Sequence, residues 1–236
     1  LYYLKALSAT GQKENFQGAL VESWPTLSMS LATQTVILTQ FNSLIPRELH
    51  QQRLNMLLHA GKHHEALEVA VFLGKGYSNL ARARLALQAG DPQVNERIDK
   101  IPRQLLDDPG LRYERLHWRR SRDLNEGMKK LLARSPAYQD MFNPQAWWRE
   151  RHILIRRLIE HKAYDAAYDL AASHRQKEGL SYLQAEWLSG FIALRLLNRP
   201  LEAFSHFKNL YQAATTAISQ ARGAYWAGRA AQARHQ

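Results

Sequence analysis

The stretch Asn143-Pro144-Gln145-Ala146-Trp147-Trp148-Arg149-Glu150-Arg151-His152 opens a pattern that runs on to Ala214. Asn143 reads as an N-cap and Pro144 as the first helical residue, where proline's missing N–H removes no bond. In the helix that follows, Trp148, Ile155 and Ile159 share one stripe, with Trp147, Leu154 and Leu158 beside it. Ala163, Ala167, Leu170 and Ala171 give the next helix small residues at helical spacing, so two axes can approach closely. Ser181-Tyr182-Leu183-Gln184 has the form of a capping box, and Leu183, Trp187, Gly190, Leu194 and Leu197 then follow on one helical face. Asn198-Arg199-Pro200 ends that helix and opens another, which carries Ala203, Phe207, Leu210 and Ala214 on its inner side.

Superimposing these helices exposes a period. Ala-x-Trp occurs at Ala146-Trp147-Trp148, Ala185-Glu186-Trp187 and Ala224-Tyr225-Trp226, each step being 39 residues. An acidic residue followed by a small one opens the second helix of each pair at Glu126-Gly127, Asp165-Ala166 and Glu202-Ala203. A repeat of this length marks helix-pair solenoids, in which no pair buries its apolar stripe without its neighbours. The expected fold is therefore all-α, a right-handed α-α superhelix of TPR-like hairpins. The sequence predicts one such domain over residues 1–236, with clear repeats from residue 91 onward and looser ones over 1–90. Trp148, Trp187 and Trp226 are the expected repeat anchors, on buried stripes and not as sugar platforms.

Outside the clear repeat, the pattern continues more loosely. Tyr2, Tyr3, Leu4 and Leu7 give an amphipathic start, and Glu22-Ser23-Trp24-Pro25 is a break. A helix is expected from about Ser28, ending before Pro46, which opens another that Ala60-Gly61 closes as a C-terminal cap. A partner runs from about His63 to Leu73, Gly74-Lys75-Gly76 reads as a turn, and a helix rich in alanine ends at Gly90. Asp91-Pro92 reads as an N-cap with a first-turn proline. Asp108-Pro109-Gly110 opens a basic helix from Leu111 to about Arg122, and Leu124 to Arg134 is its partner. β-branched residues are too sparse and alternation too short for strands.

Composition limits the function. Of 236 residues 45% are apolar, enough for a core, and the formal charge of +11 favours anionic partners: nucleic acid, acidic lipid or an acidic polymer. With no cysteine, disulfides, thiolate metal sites and a cysteine nucleophile are excluded. No apolar run approaches the roughly 20 residues that span a bilayer, and the start has no signal-peptide pattern. A first residue that is not methionine, and a last one in mid-pattern, lead to the expectation of a piece of a longer protein.

Several motifs then become more specific than the period. Gly110-Leu111-Arg112-Tyr113-Glu114-Arg115-Leu116-His117-Trp118-Arg119-Arg120 resembles the Tyr-Glu-Arg-x-x-Trp-Arg-Arg segment of soluble lytic murein transglycosylases. Trp147-Trp148-Arg149-Glu150-Arg151-His152 is similar to their Trp-Trp-Arg-Glu-Arg run. Tyr182-x-x-Ala185-Glu186-Trp187-Leu188-x-Gly190, Ala203-x-x-His206-Phe207 and Ile218-Ser219-x-Ala221-Arg222-x-Ala224-Tyr225-Trp226-x-Gly228-Arg229 continue the likeness in order. It covers about Ala81 to Ala233 well and the first eighty residues loosely. The resemblance implies the family's N-terminal superhelical domain, in the periplasm, beside a separate lysozyme-like catalytic domain outside this sequence. Those enzymes cleave the MurNAc–GlcNAc β-1,4 bond of peptidoglycan to a 1,6-anhydro product, with one glutamate as acid and base. Ala217 departs from the family, which usually has proline before Ile-Ser.

The candidate chemistry is sparse, and neither a catalytic residue, a metal site nor a cofactor is expected. Glu22-Ser23 mimics the family's catalytic Glu-Ser but precedes Trp-Pro at the wrong end of the motif order. Glu114, Glu150 and Glu186 sit among arginines, where ion pairing is the expected role. Glu114-x-x-His117 has no second copy to complete a di-metal bundle site, and His63-His64, read as a solvated pair in a turn, has no ligand partner at spacing. Arg112, Arg115, Arg119 and Arg122, with Arg149, Arg156 and Arg157, are candidate contacts for anionic glycan. The same arginines could bridge stacked repeats, or line a basic groove for nucleic acid. A TPR-like adaptor for a protein partner is the other reading of the period. Peptidoglycan strands and the lysozyme-like domain are the partners that the resemblance implies.

Overall fold

The computed structural model describes residue 11 and residues 13–234, so the Tyr2, Tyr3, Leu4 and Leu7 pattern lies outside the described residues. The chain is all-helical: helix makes up 77%, in thirteen α-helices, with no strand among the described residues. They divide into two compact units, 1–115 and 116–236.

The first unit holds α1 (Lys13–Ser23), α2 (Leu31–Phe41), α3 (Arg47–His59), α4 (His63–Leu73), α5 (Lys75–Ala89), α6 (Val94–Asp99) and the start of α7 (Pro109–Arg120). Ser30 caps α2, its hydroxyl accepting from the Thr33 amide at 3.2 Å. Gly61, at φ 71°, lets the chain reverse between α3 and α4, while the Lys62 amide bonds the Leu57 carbonyl as expected of that cap. Leu20, Trp24, Leu38, Leu54, Leu58, Val69 and Leu73 form the core.

Three boundaries differ from expectation. Lys75 and Gly76 already belong to α5, so only Gly74 makes the turn. His63-His64 opens α4 rather than lying in a turn, and both rings are exposed. The Asp91 carboxylate accepts from the Gln93 amide at 2.8 Å, an Asx turn that delays α6 to Val94. By contrast, Asp108 caps α7 as expected through the Leu111 amide at 2.8 Å.

The second unit holds the rest of α7 and α8 (Asn125–Ala133), α9 (Pro144–Glu160), α10 (Tyr164–Ala172), α11 (Gly179–Arg195), α12 (Pro200–Ala213) and α13 (Ala217–Ala233). From α8 onward each helix packs on the next, while α8 also touches α10 and α9 touches α11. Left-handed residues stand at the reversals: Asp123 before α8, Lys162 before α10 and Asn198 before α12. Asn143 caps α9 through the Ala146 amide at 3.0 Å, and Pro144 and Pro200 each stand in a first turn. Thr216 caps α13 by accepting from the Ser219 amide, which puts Ala217 at the first helical position. That is a position proline would also fit.

The expected capping box at Ser181 does not form. Helix α11 begins two residues earlier, at Gly179, so Ser181 is buried inside its first turn and Gln184 is released for another bond. The basic helix α7 also ends at Arg120, leaving Arg122 in the turn beyond it.

Close approach of helices sets the second core, where Phe207 packs with Ala193, Ala203 and Ala230. A Cβ on Gly190 would stand 2.7 Å from the Phe207 ring, and one on Gly223 2.9 Å from the Tyr211 Cα. Both glycines are therefore places where one helix leans directly on the next.

Candidate functional site

Around Glu186, on α11, the second unit brings together two histidines, His174 and His206. The carboxylate is 5% exposed. An ionised carboxylate can only accept, and the surrounding bonds are arranged to give. His174, in the loop before α11, receives the Gln176 amide on Nδ1 at 2.9 Å, so its hydrogen is on Nε2, which donates to Glu186 Oε1 at 3.2 Å. His206, on α12, meets Glu186 Oε2 through Nδ1 at 2.7 Å, leaving Nε2 to accept from the Tyr168 hydroxyl at 3.3 Å. Asn209 adds a third donor at 3.3 Å.

This network decides what Glu186 can do. Burial pushes its carboxyl up, but hydrogen bonds from His174 and then His206 outweigh burial and hold it at about 2. A general acid for glycoside cleavage needs a raised value and a proton to give; Glu186 is held as an anion. The expected arginine partners are replaced by two histidines, which lie 12 residues before and 20 after it and so carried no local spacing signal. The three groups do not converge as metal ligands, because each imidazole bonds the carboxylate itself.

The other two glutamates are also committed. Glu150, 2% exposed, takes Arg120 at 2.7 Å and His117 at 2.9 Å. Glu114 accepts from Gln88 at 2.7 Å and lies 3.8 Å from Arg84, so Glu114 and His117 serve different partners. Glu22 lies exposed in the last turn of α1, and Ser23, which ends that helix, spends its hydroxyl on the Ala19 carbonyl at 2.7 Å.

The predicted basic residues divide between the two units and are engaged by different neighbours. Arg112, in the first unit, pairs with Asp107 at 2.5 Å, and Arg115 is half-buried on the same helix. In the second unit Arg119 lies against Gly127, and Arg122 sits 4.0 Å over the Trp118 ring. Arg157 is tied to Asp123 and Asn125, each at 2.8 Å. Arg149 and Arg156 alone of the α9 candidates are exposed, and two helical turns separate them, so they share a face.

The arginine that bridges helices is one the sequence reading left out. Arg151 is 2% exposed, and its guanidinium donates to the Leu132 carbonyl and Ser135 hydroxyl at the end of α8, and to the Leu170 carbonyl and Ser173 hydroxyl at the end of α10. One planar fork thus closes two helix C-termini, whose carbonyls have no partner within their own helix. Arg53 does similar work in the first unit, bonding the Trp24 and Leu27 carbonyls.

The tryptophans diverge as well. Trp148 is buried, donates to Gln184 at 3.0 Å and stacks on His152. Trp187 and Trp226 are only half-buried; they meet edge to face, with centroids 6.2 Å apart, against the Phe207 core. Trp187 also forms the wall of a cleft of about 230 Å³ between α9, α11, α12 and α13, lined by His152, Gln184, Leu210, Ser219 and Arg222.

Together these features define an all-helical protein with buried polar anchors and a small cleft. Comparison with protein families, curated proteins and solved structures returns no match. No helix among the described residues is long and apolar enough to cross a membrane.

Proposed function

We propose that this chain is the non-catalytic superhelical domain of a periplasmic lytic transglycosylase, its hairpins stacked as a right-handed α-α superhelix that positions glycan strands and the lysozyme-like catalytic domain. The observation that carries the reading is the ordered set of five motifs, which fall on α7, α9, α11, α12 and α13. Support also comes from the chemistry of the motif glutamates. Glu114, Glu150 and Glu186 are each spent on neighbours, which suits a domain that shapes and binds while another part breaks bonds.

Purified chain should sediment with murein sacculi and release no anhydro-muropeptides. Release of such products would show that a catalytic acid had been overlooked, and absence of sedimentation would overturn glycan positioning. The second reading, a TPR-like adaptor, rests on the stacking of successive helices in the second unit. Recovery of one stoichiometric protein partner without affinity for sacculi would favour it.

A further inference from the structure

We propose that the cleft walled by Trp187 is a subsite for one N-acylated sugar bearing a carboxylate. The inference deepens the glycan-binding reading above and rests on it.

The cleft is ring-sized. At about 230 Å³ it falls below the roughly 300 Å³ at which sites for drug-sized ligands begin, so it takes a single ring and its arms. Leu180, Leu183, Leu188 and Leu210 give it apolar sides, and the Trp187 indole, backed by Phe191 stacked at 5.2 Å, adds an aromatic wall suited to the C–H face of a sugar.

Its polar groups select an anion with an amide. No carboxylate lines it. Glu186, the acid next to Trp187, is already bonded to His174 and His206. Arg222, exposed on α13, lines the cleft, and its planar guanidinium fork suits a carboxylate. Gln184 has its side-chain oxygen occupied by the Trp148 indole N–H, which leaves its amino group to donate to an acyl carbonyl. Burial, and secondarily Arg156, lower His152 from the ordinary histidine value, which favours the uncharged ring with one donor and one acceptor for hydroxyls. The Trp187 indole N–H is buried without a hydrogen-bond partner, so it makes no contact with the ligand and serves as a reporter on the cleft wall.

The test is an NMR titration of the isotopically labelled full chain, following the Trp187 indole N–H, with N-acetylmuramic acid and with N-acetylglucosamine as its matched neutral ring. N-acetylmuramic acid should move that signal with a millimolar dissociation constant, about tenfold tighter than N-acetylglucosamine. Arg222→Gln, at an exposed site, should abolish the difference and leave the other signals in place. Equal responses to the two sugars, a silent Trp187, or a difference that survives Arg222→Gln would each overturn the inference. Sacculus sedimentation run on the same sample separates the two ideas. Sedimentation with a silent cleft sinks the subsite alone, while a responsive cleft without sedimentation sinks glycan positioning and leaves the subsite standing.

Discussion

His206 donates from Nδ1 to the Glu186 carboxylate at 2.7 Å, and this bond, with a longer one from Asn209, joins α12 to α11. With His174 donating to the other oxygen, the carboxylate is worth more to the fold ionised than protonated. Its value falls from the ordinary 4.5 to about 2, so the unfolded chain binds its proton more readily than the folded one. The stabilisation is complete above about pH 4.5 and disappears as pH falls toward 2. Glu186→Gln should cost about 3 kcal/mol at pH 7, and should flatten the acid limb of the stability curve between those values. Urea midpoints measured from pH 2 to pH 7 for both proteins check this. Parallel curves would show that the histidine bonds contribute nothing to stability.

Arg151 offers a test of shape over charge. Lysine keeps the positive charge but has no fork with which to reach the Leu132 and Leu170 carbonyls and the Ser135 and Ser173 hydroxyls together. Arg151→Lys should therefore destabilise the chain by about 2 kcal/mol, and Arg151→Met by about 3 kcal/mol or more, because buried acceptors lose their donors. Chemical denaturation measures both. A lysine variant as stable as the parent would mean that charge alone holds α8 and α10.

Two glycines on α13 should respond in opposite directions to the same added methyl group. At Gly223 it would meet the Tyr211 backbone at 2.9 Å, so α12 and α13 must separate, at about 2 kcal/mol. At Gly228 nothing lies within 4 Å, so alanine should stabilise the helix by about 0.8 kcal/mol. Thermal melts of Gly223→Ala and Gly228→Ala read out the contrast.

The helices were legible because their signals are local. Asn143-Pro144, Asp108-Pro109 and Ala60-Gly61 each fix a boundary through bonds within a few residues, and the structure uses all three. Ser181 misled for the same reason: Glu178 and Gly179 carry no strong capping signal, yet α11 starts there and buries Ser181. The site was less legible because its bonds are long-range. His206 reaches Glu186 from 20 residues away, and Arg151 reaches across 19 residues in each direction. Arg151 was hidden further by its setting in a Trp-Trp-Arg-Glu-Arg run, where nothing in the spacing separates the buried Arg151 from the exposed Arg149. Trp187 looked like a core residue since its period is that of the core. It does pack against that core, but it also lines a cleft to which α9, α12 and α13 contribute residues far from it in sequence.

The exposed pair on α9 carries the last prediction. Arg149 and Arg156 project from one face, whereas Arg157 is held by Asp123 and Asn125 and Arg151 is buried. If anionic murein is held by this face, removing both charges should weaken binding while the core stays intact. Each exposed contact to a carboxylate is worth about 0.7 kcal/mol at low salt, so Arg149→Gln with Arg156→Gln should reduce sacculus affinity about tenfold. The loss should shrink as salt rises, since the parent's advantage is itself screened. Substituting Arg157 instead should lower stability by breaking its bonds to Asp123 and Asn125, with a smaller effect on sedimentation. If the double variant binds sacculi as the parent does at every salt concentration, the contact face is not the one α9 presents, and the basic charge of the chain must be sought elsewhere.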